Sequence, residues 1–168
     1  MIIRQAVPED IAALSDLACR VYAATFGHAL SEAELTAALR ETKSEACFRT
    51  VIDTDAILIA LKGDRLIGYA QICDMSLPVE GAAPGSQQLN ALYVDPAFHG
   101  KGVGKALLDA VLVLPRVRDG NTLYLDVWEE NRRALSFYQR NGFEAVGYCD
   151  VVIDGTVIGQ DLAMARRV

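Results

Sequence analysis

An α/β or α+β fold, as one domain over residues 1–168, is what the sequence predicts, and three observations carry it. Short apolar strand-like runs alternate with amphipathic helical stripes along the whole chain, which is the pattern of layered sheet and helix. The length of 168 residues fits one domain and leaves only a fragment for a second. A 52% hydrophobic content supplies a sizeable core and excludes disorder.

Element by element, Ile2 to Ala6 reads as a strand, and Pro8-Glu9-Asp10 opens a helix with the proline and acidic residues that a first turn favours. Ile11, Leu14, Leu17, Ala18 and Val21 then keep helical spacing. Ser31 with Glu34 forms a capping box for a second helix to about Arg40. Ala56 to Leu61 and Leu66 to Ile72 are strands joined by the turn Lys62-Gly63-Asp64-Arg65. A loop rich in proline and glycine runs from Leu77 to Ser86, and Leu89 to Val94 is the next strand. Val103, Ala106, Leu107, Ala110, Val111 and Leu114 make a helical stripe that Pro115 is expected to end. Leu123 to Val127 is a strand and Asn131 to Arg140 a helix, closed by Asn141-Gly142. Strand-like stretches around Ala145 to Ile153 and Val157 to Ala165 complete the chain.

Charge and composition narrow the function. Sixteen Lys+Arg against 22 Asp+Glu give a formal net charge of −6. That balance disfavours nucleic acid and anionic membranes as partners. No apolar run approaches the ~20 residues of a membrane span, and the amino end lacks a secretory layout, so a cytoplasmic protein is expected. Cys19, Cys47, Cys73 and Cys149 are scattered without paired spacing, which reads as small buried hydrophobes and no metal site.

The most informative segment is Tyr93 to Lys105, where a strand ends in Val94-Asp95-Pro96, a glycine-rich loop follows and a helix begins. Glycines let backbone amides approach an anion, and the helix amino end adds positive dipole. Lys101 and Lys105 add charge, so a phosphate or pyrophosphate ligand is implied. A P-loop needs glycine at His99 and Ser or Thr at Ala106; a dinucleotide fingerprint from Gly100 needs glycine at Lys105. Both nucleotide patterns fail.

Residues His99-Gly100-Lys101-Gly102-Val103-Gly104 resemble the pyrophosphate loop of the GNAT acetyltransferase superfamily, with His99 in place of the usual Gln or Arg. A second stretch is similar to the following strand and helix of that superfamily: Leu123 to Trp128, Asn131 at the helix start, Phe137-Tyr138, then Gly142-Phe143. Asn131 and Tyr138 are two helical turns apart and share a face, with Ala134 between them. The resemblance implies a mixed, largely antiparallel sheet, splayed at the acetyl-CoA site, with helices on both faces.

It also implies roles. The backbone of Leu92, Tyr93 and Val94 would pair with the pantetheine arm, and amides of Gly100, Lys101, Gly102, Val103, Gly104 and Lys105 would hold the pyrophosphate. Asn131 would contact the coenzyme. Tyr138, as the catalytic residue, would protonate the departing thiolate. The implied function is acetyl transfer from acetyl-CoA, as cosubstrate and without a metal, to a primary amine by direct attack. Where relatives carry glutamates, this chain has Gln88 and Asn90, so Asp126, Glu129, Glu130 and a water relay stay open as the base. Tyr22 to His28 with the Ser31 to Leu39 helix, Trp128 to Asn131 and the tail Ile158 to Met164 resemble the bacterial spermidine/spermine branch, making a polyamine or related small amine the expected acceptor. The branch that acetylates ribosomal-protein and peptide α-amines is the alternative, as is a regulatory module that binds acetyl-CoA without transferring it. Superfamily members often pair as homodimers, and that expectation extends to this chain.

Overall fold

In the computed structural model, which describes residues 1–168, the chain gathers into two units, one made of Met1–Ile72 with Ala91–Val111 and the other of Cys73–Asn90 with Leu112–Val168. The first begins with strand β1 (Ile2–Gln5). A single 3-10 turn at Pro8–Asp10 follows. There the Asp10 carboxylate accepts from the Val7 amide at 2.9 Å and pairs with Arg4 at 2.7 Å. Helix α1 (Ile11–Phe26) buries the expected stripe of Ile11, Leu14, Leu17, Ala18 and Val21. Helix α2 (Glu32–Thr42) starts in the expected capping box: the Glu34 amide donates to Ser31 Oγ at 3.3 Å, and the Ser31 amide donates to the Glu34 carboxylate at 2.8 Å.

Helix α3 (Glu45–Val51) is absent from the sequence reading; Ser44 caps it by accepting from the Cys47 amide at 3.3 Å, and Phe48 is its one buried side chain. Strands β2 (Ala56–Lys62) and β3 (Arg65–Asp74) form the expected antiparallel hairpin, with β2 pairing β1 on its other edge. Ile57, Ile59 and Tyr69 from the hairpin join Leu14, Leu17 and Phe48 in one apolar core. Strand β4 (Gln87–Val94) leads toward helix α4 (Val103–Leu112). Gly68 on β3 is required by close packing: a Cβ there would stand 2.9 Å from the Tyr93 carbonyl oxygen and 3.2 Å from Leu107.

In the second unit, helix α5 (Pro115–Asp119) corrects one expectation. The helical stripe ends at Leu112, before Pro115, and the proline starts a new helix instead of closing the old one. Its missing N–H costs nothing at a first helical position, and the extended Leu114 before it makes the break. Arg116 fastens this helix, donating to Gln87 Oε1 at 2.6 Å and to Asp74 at 2.9 Å.

Strand β5 (Thr122–Val127), helix α6 (Arg132–Arg140) and strands β6 (Glu144–Ile153) and β7 (Thr156–Arg167) complete the chain. β7 lies antiparallel to both β5 and β6. The parallel β4–β5 ladder consists of Gln87↔Leu123 and Gln88↔Tyr124 and then stops, although β5 runs on to Val127. The strand order is β1-β2-β3-β4-β5-β7-β6, a mixed, largely antiparallel sheet as expected. No helix is long and apolar enough to cross a membrane.

Candidate active site

The glycine loop begins from a buried carboxylate. Asp95 follows β4 with its side chain only 5% exposed. Its Oδ1 accepts from the Ala97 amide at 2.9 Å, starting a 3-10 turn at Pro96–Phe98, while Arg65 donates to Oδ2 at 2.7 Å and Arg20 stands 3.7 Å away. Burial acts to raise the carboxyl's pKa, but the amide bond and the two arginines outweigh it and hold Asp95 below its ordinary value. A depressed folded pKa contributes stability that is present above the unfolded value of about 4 and is lost as pH falls through the folded one. Asp95→Ala is therefore expected to cost ~1–3 kcal/mol at pH 7 in urea melts. The gap to wild type should narrow progressively below about pH 4. An equal gap at pH 2.5 and pH 7 would contradict this account.

Beyond that turn the loop doubles back on its strand. His99 Nε2 lies 2.9 Å from the Val94 carbonyl oxygen, and since a carbonyl only accepts, Nε2 carries the proton. The residue standing in for Gln or Arg thus ties the loop to the end of β4, and it engages one backbone group expected to face the pantetheine arm. Gly100 and Gly102 have φ of +71° and +81°, a region that favours glycine, and a Cβ at either would meet nothing within 4 Å. The amide of Ala106 donates to the Gly102 carbonyl at 3.0 Å, the first turn of α4. The N–H groups before it have no ladder partner in an α-helix. The two lysines are engaged locally: Lys101 Nζ donates to the Ala97 carbonyl at 2.8 Å, and Lys105 pairs with Asp109 one turn on. With both lysines engaged locally, the groups the loop leaves open are its amides, and the lysines stand exposed beside them.

The expected lid, Tyr22 to His28, is the last part of α1 and the turn after it. The rings of Tyr22 and Phe26 lie 4.6 Å apart. The ammonium of Lys43, a residue only 7% exposed, sits 5.6 Å from the Tyr22 ring centroid and 5.2 Å from that of Tyr93.

In the second unit, Asn131 caps α6: its Oδ1 accepts from the Ala134 amide at 3.1 Å, which leaves its side-chain NH₂ as the group available to a ligand. Tyr138 is 9% exposed, its ring 5.4 Å from Phe137 and 5.6 Å from Phe143. Burial first, and then the negative charge of Asp126, push its hydroxyl well above the ordinary phenol value that the sequence reading assumed. The Gln88 side chain is buried, its oxygen accepting from the Ser76 amide at 3.1 Å and hydroxyl at 2.9 Å, so it works as a loop fastener. Asn90 is exposed. Glu129, one open candidate for the base, accepts from the Tyr148 hydroxyl at 3.1 Å.

A residue that enters the sequence analysis only as part of the tail Ile158 to Met164, and not as a candidate base, stands out in this unit. Asp161 on β7 is half-buried and its carboxyl is pushed up to about 6, by burial first and by Asp126 second. Asp126 pairs with Ala163 and Asp161 with Cys149 in the strand registers. Because side chains alternate along a strand, Asp126, Asp161 and Cys149 share one face of this part of the sheet.

These features agree with known proteins. The model of the acetyltransferase (GNAT) family matches residues 14–143. An N-alpha-acetyltransferase RimI from Mycobacterium tuberculosis is 35% identical over 88 residues, 52% of this chain and 51% of that protein, so the match spans about half the relative's length. Among solved structures, the PaiA N-acetyltransferase from Thermoplasma acidophilum in complex with coenzyme A has a TM-score of 0.80 at 23% identity, covering 99% of this chain and 98% of that one. A ribosomal-protein-alanine N-acetyltransferase from Brucella melitensis has a TM-score of 0.74 at 24% identity over 100% of both chains. With the family model matching residues 14–143, across the glycine loop and the capped helix α6, this chain belongs to the GNAT family of acetyltransferases.

Proposed function

We propose that the protein transfers an acetyl group from acetyl-CoA to a primary amine by direct attack, with Tyr138 protonating the departing sulfur. The observation that carries this reading is the pair of left-handed glycines, Gly100 and Gly102, which leave open space where side chains would stand at the start of α4. An acyl donor bearing a pyrophosphate fits such a cradle of backbone amides. Leu92, Tyr93 and Val94 would meet its pantetheine arm, amides from Gly100 to Lys105 its phosphates, and the Asn131 NH₂ a further acceptor atom on it. When bound, the donor supplies an activated acetyl thioester; the chain's own part is to orient the amine, remove its proton and protonate the sulfur.

For the acceptor, a polyamine or related small amine is supported by the carboxylates of Asp126 and Asp161 on one face and by the net charge of −6. A peptide α-amine is the second reading, favoured by the 35% identity to a protein named as an N-alpha-acetyltransferase. Coenzyme-dependent thiol release with spermidine, a simple diamine, a peptide with a free amino-terminal alanine and the same peptide blocked at its amino end decides between them. Release with the diamines alone supports the first, release with the free peptide alone supports the second, and release with none overturns the transferase reading.

The lid enters here as well. If Phe26 borders the acceptor groove, Phe26→Ala should raise the acceptor KM about tenfold, as loss of one apolar contact does, and leave the KM for acetyl-CoA unchanged. A defect confined to the coenzyme KM would remove Phe26 from the acceptor groove.

A further inference from the structure

The geometry points to Asp161 as the proton acceptor for the attacking amine, a role that neither Gln88 nor Asn90 can fill. The inference rests on the acetyl-transfer reading above and deepens it. Asp126 is cross-strand to Ala163 and Asp161 is cross-strand to Cys149, so the two carboxylates lie on one sheet face, on neighbouring strands and two residues apart in register. Tyr138 belongs to the same neighbourhood, since the charge of Asp126 acts on its hydroxyl. That hydroxyl is on a residue 9% exposed and engages no hydrogen bond of the chain. A hydroxyl on a largely buried residue, unpaired within the chain and close enough to feel the Asp126 charge, is a donor open to an acceptor atom from outside the chain.

Across the strand pairings Asp161 shares its face with Asp126 on β5 and Cys149 on β6, and Asp126 in turn acts on the Tyr138 hydroxyl of α6. Burial and Asp126 both favour the neutral acid, which places the Asp161 carboxyl at about 6, closer to neutrality than an ordinary aspartate. Cys149 is pushed up by burial and by Asp126, Asp161 and Asp150, so it stays a thiol and does not compete for the role.

The step balances as follows. Ionised Asp161 takes one proton from the acceptor's ammonium, and the freed nitrogen lone pair forms the C–N bond to the acetyl carbon. The C–S bond breaks, its electron pair leaves on sulfur, and the Tyr138 hydroxyl gives that sulfur its proton. The Asp161 proton then restores the phenol directly or through solvent, and the second proton on nitrogen passes to solvent as the adduct collapses to the amide, so one proton is released per amide formed when the acceptor enters as an ammonium.

The test uses the full chain with carbon-13-labelled aspartate carboxyls, read alongside the pH dependence of kcat/KM for the best amine. In the wild type, the resonance that disappears in Asp161→Asn should titrate near pH 6. In Asp126→Asn its midpoint should fall, though not to the ordinary value, because burial is the larger cause. Asp161→Asn should lose the acidic limb of the rate profile and ~10²-fold or more of kcat near neutrality. Its coenzyme affinity should hold. Removing a carboxylate that resists ionisation should also raise the melting temperature at pH 7.5, the gain vanishing below about pH 4. A midpoint in the ordinary carboxylate range, or a rate limb that survives in Asp161→Asn, overturns the inference. If the wild type acetylates no amine, the functional reading fails by itself, and with it Asp161's role as base, whatever the titration gives.

Discussion

Tyr138→Phe is expected to lower kcat by ~10²-fold or more while leaving acetyl-CoA affinity and the melting temperature close to wild type. The ring is what the fold uses: it packs edge-on against Phe137 and Phe143, and phenylalanine keeps both contacts. Its hydroxyl bonds nothing in the chain and is disfavoured from ionising, first by burial and then by Asp126. Removing it therefore costs folding little. Catalysis is another matter, because the same dry surroundings that weaken the phenol as an acid also strengthen a thiolate expelled beside it as a base. If Tyr138 is the acid, its proton moves only as sulfur charge develops, and the loss then belongs in kcat and not in coenzyme binding. A thioester with a more acidic thiol should depend less on the hydroxyl and lose less in the variant. Near-full turnover by Tyr138→Phe with the best amine would make Tyr138 a packing residue and solvent the acid.

What was legible in the sequence divides along local and nonlocal physics. The α1 stripe, the Ser31–Glu34 capping box and the Asn131 cap are set by spacings within one or two helical turns, and each stands where its residues put it. The left-handed Gly100 and Gly102 were likewise readable, since few residues besides glycine adopt that backbone. Helix α3 escaped because Glu45–Val51 buries only Phe48, leaving no periodic stripe to see; its one signal was Ser44 as a cap. Pro115 was read as a stop, although proline equally starts a helix, and only the extended Leu114 decides which. Asp161 lies in the tail Ile158 to Met164 that the sequence singles out, but nothing local marks it as a base. It is one polar residue on a strand, and its chemistry arises from the register that sets β7 between β5 and β6 and so brings Asp126 near it. Residues far apart in the chain acquire such a pairing only once the sheet is built. His99 shows the same limit, since its departure from the family's loop pattern was visible but its bond to the Val94 carbonyl was not.

Gly102→Val is expected to abolish measurable acetyl-CoA binding, a loss of at least ~10²-fold, in a protein that still folds. Two separate effects meet at this position. With φ at +81°, any residue with a Cβ is strained, and a β-branched one more so, at a cost on the order of 1–3 kcal/mol. Most domains survive that. The second effect is specific: a Cβ at Gly102 meets no protein atom within 4 Å, so the valine methyls would project into the open space where the amides of the first α4 turn await an anion. Valine relieves its strain by shifting the loop, which misaligns those amides, or keeps the loop and fills the cradle. Either course blocks the phosphates. The hairpin glycine Gly63, with φ of +58° and an equally open Cβ position, supplies the control. Gly63→Val should lose comparable stability in urea melts and keep its coenzyme affinity. Binding followed by calorimetry then separates strain from occlusion: equal losses of affinity in the two variants would mean that Gly102 matters only for folding, and unchanged affinity in Gly102→Val would remove the loop from the coenzyme site.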